Sequence, residues 1–95
     1  MMIVSIKHKG LKLLWEKASG AKLPAVLVPK ISMVMQLIDQ ARKVEDVNFP
    51  GSNLHPLRGD LAGFWAVKIS GNYRLIFQFD GEECTALDLD FIDYH

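Results

Sequence analysis

Cysteine is nearly missing from this sequence: Cys84 stands alone among 95 residues. No internal disulfide can form, so a core must hold the fold, and a reducing cytoplasm is the expected compartment. Cys84 itself is expected as a small buried hydrophobe on a strand. Long apolar runs are also lacking. None approaches the roughly 18 residues that a membrane span requires, so no membrane role is expected. The opening Met1-Met2-Ile3-Val4-Ser5-Ile6 is broken by Lys7, too early for a secretory hydrophobic region. No glycine-rich phosphate loop and no serine-nucleophile motif is present. The three histidines, His8, His55 and His95, lack the paired His/Cys spacing of a zinc site. Period two places Asp88 beside Asp90, but the Gly and Glu frame of a calcium loop is missing. Neither a metal nor a cofactor is expected.

Net charge is absent too, with 11 basic and 11 acidic residues, yet the balance is uneven along the chain. Up to Lys43, eight basic residues face two acidic ones, a net +6. From Val44 onward, three basic residues face nine acidic ones, a net −6. A basic half suits a polyanion such as RNA; lysines on solvated helix faces read equally well. The apolar fraction of 49% is ample for a core, and the length fits one domain over residues 1–95.

Residues 3–7 read as a short strand. A helix follows from His8 to about Ser19, with Leu11, Leu14 and Trp15 on one face and Gly20 as its stop. A second helix is expected from near Pro24 to near Lys43, with Pro29 able to delay its start. Its apolar face is Leu27, Ile31, Val34, Met35, Ile38 and Ala41. Arg42 and Lys43 then fall at the negative end of the helix dipole. After the turn material Phe49-Pro50-Gly51-Ser52-Asn53 the period becomes two. Trp65, Val67 and Ile69 share a face. Ser70-Gly71-Asn72 is a tight hairpin turn, and Tyr73, Leu75, Phe77 and Phe79 face one way while Arg74, Ile76 and Gln78 face the other. Asp80-Gly81 turns again, and Thr85, Leu87 and Leu89 continue a last strand. The expected fold class is α+β: an N-terminal strand, then two helices packed on a mainly antiparallel sheet with a C-terminal meander.

The residues that carry chemistry gather in this second half. They are Leu54-His55-Pro56-Leu57-Arg58-Gly59-Asp60, then Trp65, then Gly71-Asn72-Tyr73-Arg74, and finally Asp93-Tyr94-His95. Two histidines and two arginines form the kit a phosphodiester cutter needs. Histidine titrates near neutrality and can move protons; arginine offers a charged fork for phosphate. Without further information His55 reads equally as a satisfied core histidine, and Arg74 as a salt-bridge partner of an acid such as Asp88. His8, at a helix entrance, reads as structural.

Together with Lys7-His8-Lys9-Gly10-Leu11, these motifs resemble the HigB-type toxins of bacterial toxin–antitoxin modules, within the RelE/ParE superfamily. The resemblance implies a RelE-like fold and a metal-independent endoribonuclease that cuts mRNA on the ribosome. Products would be a 2′,3′-cyclic phosphate and a 5′-OH. It implies a HigA-like helix-turn-helix antitoxin, with operator DNA bound only through that antitoxin. Under this reading His95 and His55 are the proton carriers, Arg58 and Arg74 bind the scissile phosphate, and Asp93 orients His95 or helps in proton transfer. Tyr94 stacks on a base, and Lys7, Lys9 and Lys12 touch ribosomal RNA. The rival expectations are a gyrase-poisoning binder of the same fold and a decayed toxin that only binds its antitoxin.

Overall fold

Alternating apolar residues in the second half build three long strands, which the computed structural model describes together with the rest of residues 1–93. In chain order β2 is His55–Pro56, β3 Phe64–Lys68, β4 Tyr73–Asp80 and β5 Thr85–Asp93, while β1 is only Met2–Ile3. The sheet order is β1-β5-β4-β3-β2. All pairings are antiparallel except β1 with β5, which is parallel and extended by a bridge from Ile6 to Leu89. The N-terminal strand is thus shorter than residues 3–7. Its outer edge is closed at Ile3, whose amide donates to Asp39 Oδ1 at 3.0 Å. The opposite edge carries Pro56, which has no N–H to offer a further strand.

The helix α1 (Lys9–Lys17) opens on His8, whose Nδ1 accepts from the amides of Gly10 (3.0 Å) and Leu11 (3.2 Å). Two of the orphan amides of a helix start are thereby satisfied. His8 is structural, as its position suggested. Gly10 must stay small, since a Cβ there would lie 2.9 Å from the His8 ring and 3.0 Å from the Lys22 carbonyl. His8→Ala is expected to cost about 1 kcal/mol, a melting-point drop of about 4–8 °C for a chain of this size, with His8→Asn recovering most of it. Thermal melts followed by circular dichroism check this. The helix stops at Ala18, left-handed at φ 56°, and not at Gly20. Gly20 serves packing instead: a Cβ there would stand 2.7 Å from Val28 Cγ2.

A 3₁₀ turn at Ala25–Leu27 precedes α2 (Val28–Gln40), which takes Pro29 in its first turn, where a missing N–H is harmless. Ile31, Val34, Met35 and Ile38 form its buried stripe. They pack with Leu11, Val67, Leu75, Phe77 and Leu89 on one face of the sheet. The helix ends before Arg42 and Lys43, which therefore do not sit in its last turn. The Arg42 and Lys43 amides donate to Asp46 Oδ2 at 3.0 and 3.3 Å. These bonds, led by the Arg42 amide, hold the Asp46 carboxyl below its ordinary 3.8. A lowered folded-state value stabilises the fold above pH 3.8, and the benefit fades as pH falls through the lowered value. Acid titrations of stability should therefore show a shallower fall below pH 3.8 for Asp46→Asn than for the parent chain.

Thr85, Leu87 and Leu89 do lie on the last strand, but the expectations for Asp88 beside Asp90 and for a buried Cys84 fail. Leu87 and Leu89 do not share a face. The pairing shifts between Ile76 and Gln78, where Asp88 is an extra, left-handed residue at φ 53°. Its amide donates to Ser5 Oγ at 2.8 Å, and Ser5 Oγ–H donates to Asp88 Oδ1 at 3.2 Å. Asp88 is thereby parted from Asp90. Cys84 is exposed in the turn before β5, at φ 54°, and is not a buried strand residue. Asp80 Oδ1 accepts the Glu82 and Glu83 amides, which draws the turn out to residue 84.

Candidate functional site

The helices cover one face of the sheet, so the strand residues of opposite phase lie on the other. Cross-strand register sorts these into rows. Lys68, Arg74 and Ile92 form the first. His55, Ala66, Ile76 and Asp90 form the second. Phe64, Gln78 and Leu87 form the third. His55 and Arg74 therefore share this face. Arg58 lies two residues beyond β2, and it lines a groove of about 530 Å³ with His55, Leu57 and Leu61.

His55 is half-buried, and its Nδ1 lies 2.6 Å from the Asn53 carbonyl oxygen. A carbonyl only accepts, so Nδ1 carries the proton. In the neutral ring Nε2 keeps its lone pair, ready to accept a proton. Asn53 holds its carbonyl in place from a left-handed conformation at φ 49°. His55 is not fully buried; Ser52 is the buried polar side chain among the described residues.

Arg74 is tied to the hairpin before it. Its Nη1 donates to the carbonyls of Ser70 (2.8 Å), Tyr73 (3.1 Å) and Gly71 (3.4 Å). Asp88, bonded to Ser5, is not its cross-strand neighbour; that place is taken by Lys68 on one side and Ile92 on the other. Lys68 was missed by motif reading. Hairpin arithmetic finds it, because a turn at 70–72 that pairs 69 with 73 must pair 68 with 74. Like charges directly opposite each other weaken a sheet. Such a pair is suited to an anion that bridges it.

Other expected site residues lie apart. Asp93 is exposed opposite Tyr73, on the phase of Phe91, which stacks on Tyr73 at 4.8 Å. Lys7, Lys9 and Lys12 are exposed at and before α1, on the helical side. Tyr94 and His95 lie outside the described residues. Among the described residues no three His, Cys, Asp or Glu side chains are grouped to hold a metal ion, and no helix is long and apolar enough to cross a membrane.

This architecture is shared with RelE- and YoeB-type toxins. The toxin–antitoxin complex RelBE2 of Mycobacterium tuberculosis contains a chain of like fold, with TM-score 0.59 at 22% identity over 99% of this chain and 96% of that one. The YoeB–YefM complex of Staphylococcus aureus contains another, with TM-score 0.57 at 15% identity over 100% and 98%. At the sequence level, residues 4–95 match the family described as the RelE-like toxin of type II toxin–antitoxin system HigB. Endoribonuclease HigB of Proteus vulgaris is 43% identical over 99% of this chain and 100% of its own length. The chain belongs to the HigB-like toxin family.

Proposed function

We propose that this toxin is an endoribonuclease that cuts mRNA during translation, by attack of a ribose 2′-OH on the adjacent phosphate. The observation that carries the reading is the oriented His55 on the same sheet face as the Lys68/Arg74 pair. The 43% identical relative named Endoribonuclease HigB supports it.

In this reading one histidine takes the 2′-OH proton and the other protonates the departing 5′-oxygen, leaving a 2′,3′-cyclic phosphate and a 5′-OH. His55, with Nε2 free to accept, suits the first task, and His95 the second. Asp93 orients His95 or assists its proton transfer. Arg74, Lys68 and Arg58 hold the phosphate as its negative charge grows, the kind of preorganised stabilisation that dominates many enzymes. No metal enters the scheme. Tyr94 stacks on an mRNA base. Lys7, Lys9 and Lys12, on the helical side, engage ribosomal RNA. Residues 1–95 act as one domain in the cytoplasm, restrained by a HigA-like helix-turn-helix antitoxin that alone contacts operator DNA.

The test is cleavage of a defined mRNA in a reconstituted translation system, with ribosomes present or omitted, and analysis of the new 3′ ends. Cuts only with ribosomes, ending in cyclic phosphate, are the expected result. A folded toxin that leaves the mRNA whole in both would overturn the reading.

A further inference from the structure

We infer that Phe64, Gln78 and Leu87 form a nucleobase subsite for the RNA strand being cut. The inference rests on the nuclease reading above and deepens it. Three observations carry it.

The first is the order of the rows. Successive rows on one strand face stand about 7 Å apart. The Lys68/Arg74 row is cationic, the next row holds His55 and Asp90, and the Phe64/Gln78/Leu87 row is neutral. Beyond it, Gln78 and Leu87 border a groove of about 690 Å³ whose far side holds Asp80 and Glu82. A nucleotide presents phosphate, sugar and base in the same order. Phosphate is drawn to the first row and repelled from the carboxylates, so a nucleotide is oriented with its phosphate at the first row and its base toward the third. Its sugar then crosses the histidine row, and its base reaches Phe64 and Gln78.

The second observation is the state of the two side chains. Phe64 is half-buried and stands outside the main core cluster, unlike Trp65, Phe77 and Phe79. The ring is spare to the core and lies on the uncovered phase of the sheet. Aromatic rings on an open sheet face are platforms for unstacked bases. The backbone under it is firm, since the Phe64 carbonyl accepts from the Leu57 amide at 2.8 Å.

The third is the Gln78 amide. It is half-buried, and its side chain has no hydrogen-bond partner among the described residues. An amide offers a donor and an acceptor side by side, which is what a base edge requires. Leu87 closes the row with an apolar wall. Phe64 supplies affinity that any base can use, and Gln78 supplies discrimination between bases. The subsite is therefore a specificity element and not part of the proton-transfer machinery.

The experiment compares the intact toxin with Gln78→Leu and Phe64→Leu, both near-isosteric, after thermal melts establish that each folds. Cut positions are mapped on one mRNA in the translating system. Relative use of cut sites should change about tenfold for Gln78→Leu, the size expected for a lost base-edge pair, while Phe64→Leu lowers cutting at all sites by a similar factor. A second arm needs no catalysis. The four nucleoside 3′-monophosphates and inorganic phosphate are titrated into isotope-labelled toxin and followed by NMR. All five should move the signals of Lys68 and Arg74. Only the nucleotides should move the Phe64 ring and the Gln78 side-chain amide, and by amounts that differ between bases. Unchanged cut-site usage in Gln78→Leu together with undiminished cutting by Phe64→Leu, or nucleotides that perturb Lys68 and Arg74 but not Phe64 and Gln78, would overturn the subsite and leave the nuclease reading standing. Nucleotides that perturb none of the four residues would overturn the subsite, and intact mRNA after incubation with the folded parent toxin in the translating system would overturn the nuclease reading.

Discussion

Replacing His55 by alanine is expected to lower the rate of ribosome-dependent mRNA cleavage by about 10²–10⁴-fold, the usual value of one positioned proton-transfer group. The ring is only half-buried, so the melting temperature should hardly move. The 2.6 Å contact with the Asn53 carbonyl gives a sharper test. Gln in place of His55 can mimic the donor to Asn53 but cannot take up a proton. His55→Gln should therefore be as inactive as His55→Ala while remaining fully folded. A near-normal cleavage rate for either variant would remove His55 from the chemistry.

Arg74 should rank next. Arg74→Ala is expected to slow cleavage by about 10²–10³-fold, in line with the loss of one group that stabilises transition-state charge. Part of the loss has a local origin, because Nη1 also gathers the Ser70, Gly71 and Tyr73 carbonyls around the hairpin. Arg74→Lys separates the two contributions. It keeps the charge opposite Lys68 but loses the planar fork, and a restored rate of no more than about a tenth is expected. Cleavage kinetics and thermal melts on the same preparations read both effects. If Arg74→Lys cleaves at the full rate, charge alone is what the site requires there.

The β3–β4 hairpin was legible because every residue from Phe64 to Phe79 obeys one alternation, and His55 and Arg74 were legible with it. β5 was not. Its alternation slips at Asp88, and what permits the slip is Ser5, at the other end of the chain. No local pattern carries such a pairing. Cys84 was misjudged for a related reason: Asp80 stretches the turn through side-chain bonds, so the strand starts at Thr85. The end of α1 misled because Gly20 has two possible uses, a left-handed stop or a close approach, and only the position of Val28 decides between them. Motif reading singles out the histidines and arginines as candidates and gives no role to Lys68, Asn53, Phe64 or Gln78. The parts proposed for these rest on register or on a backbone carbonyl, neither of which a motif displays.

The carboxylate of Asp39 on Ile3 and the ring of Pro56 occupy the two flanks of the sheet. Among the described residues, neither flank thus offers copies of this chain an open seam along which to stack. The same closure bears on restraint of the toxin. Strand addition is disfavoured at both flanks, which leaves the helices and the histidine-bearing face as the broader surfaces for a partner.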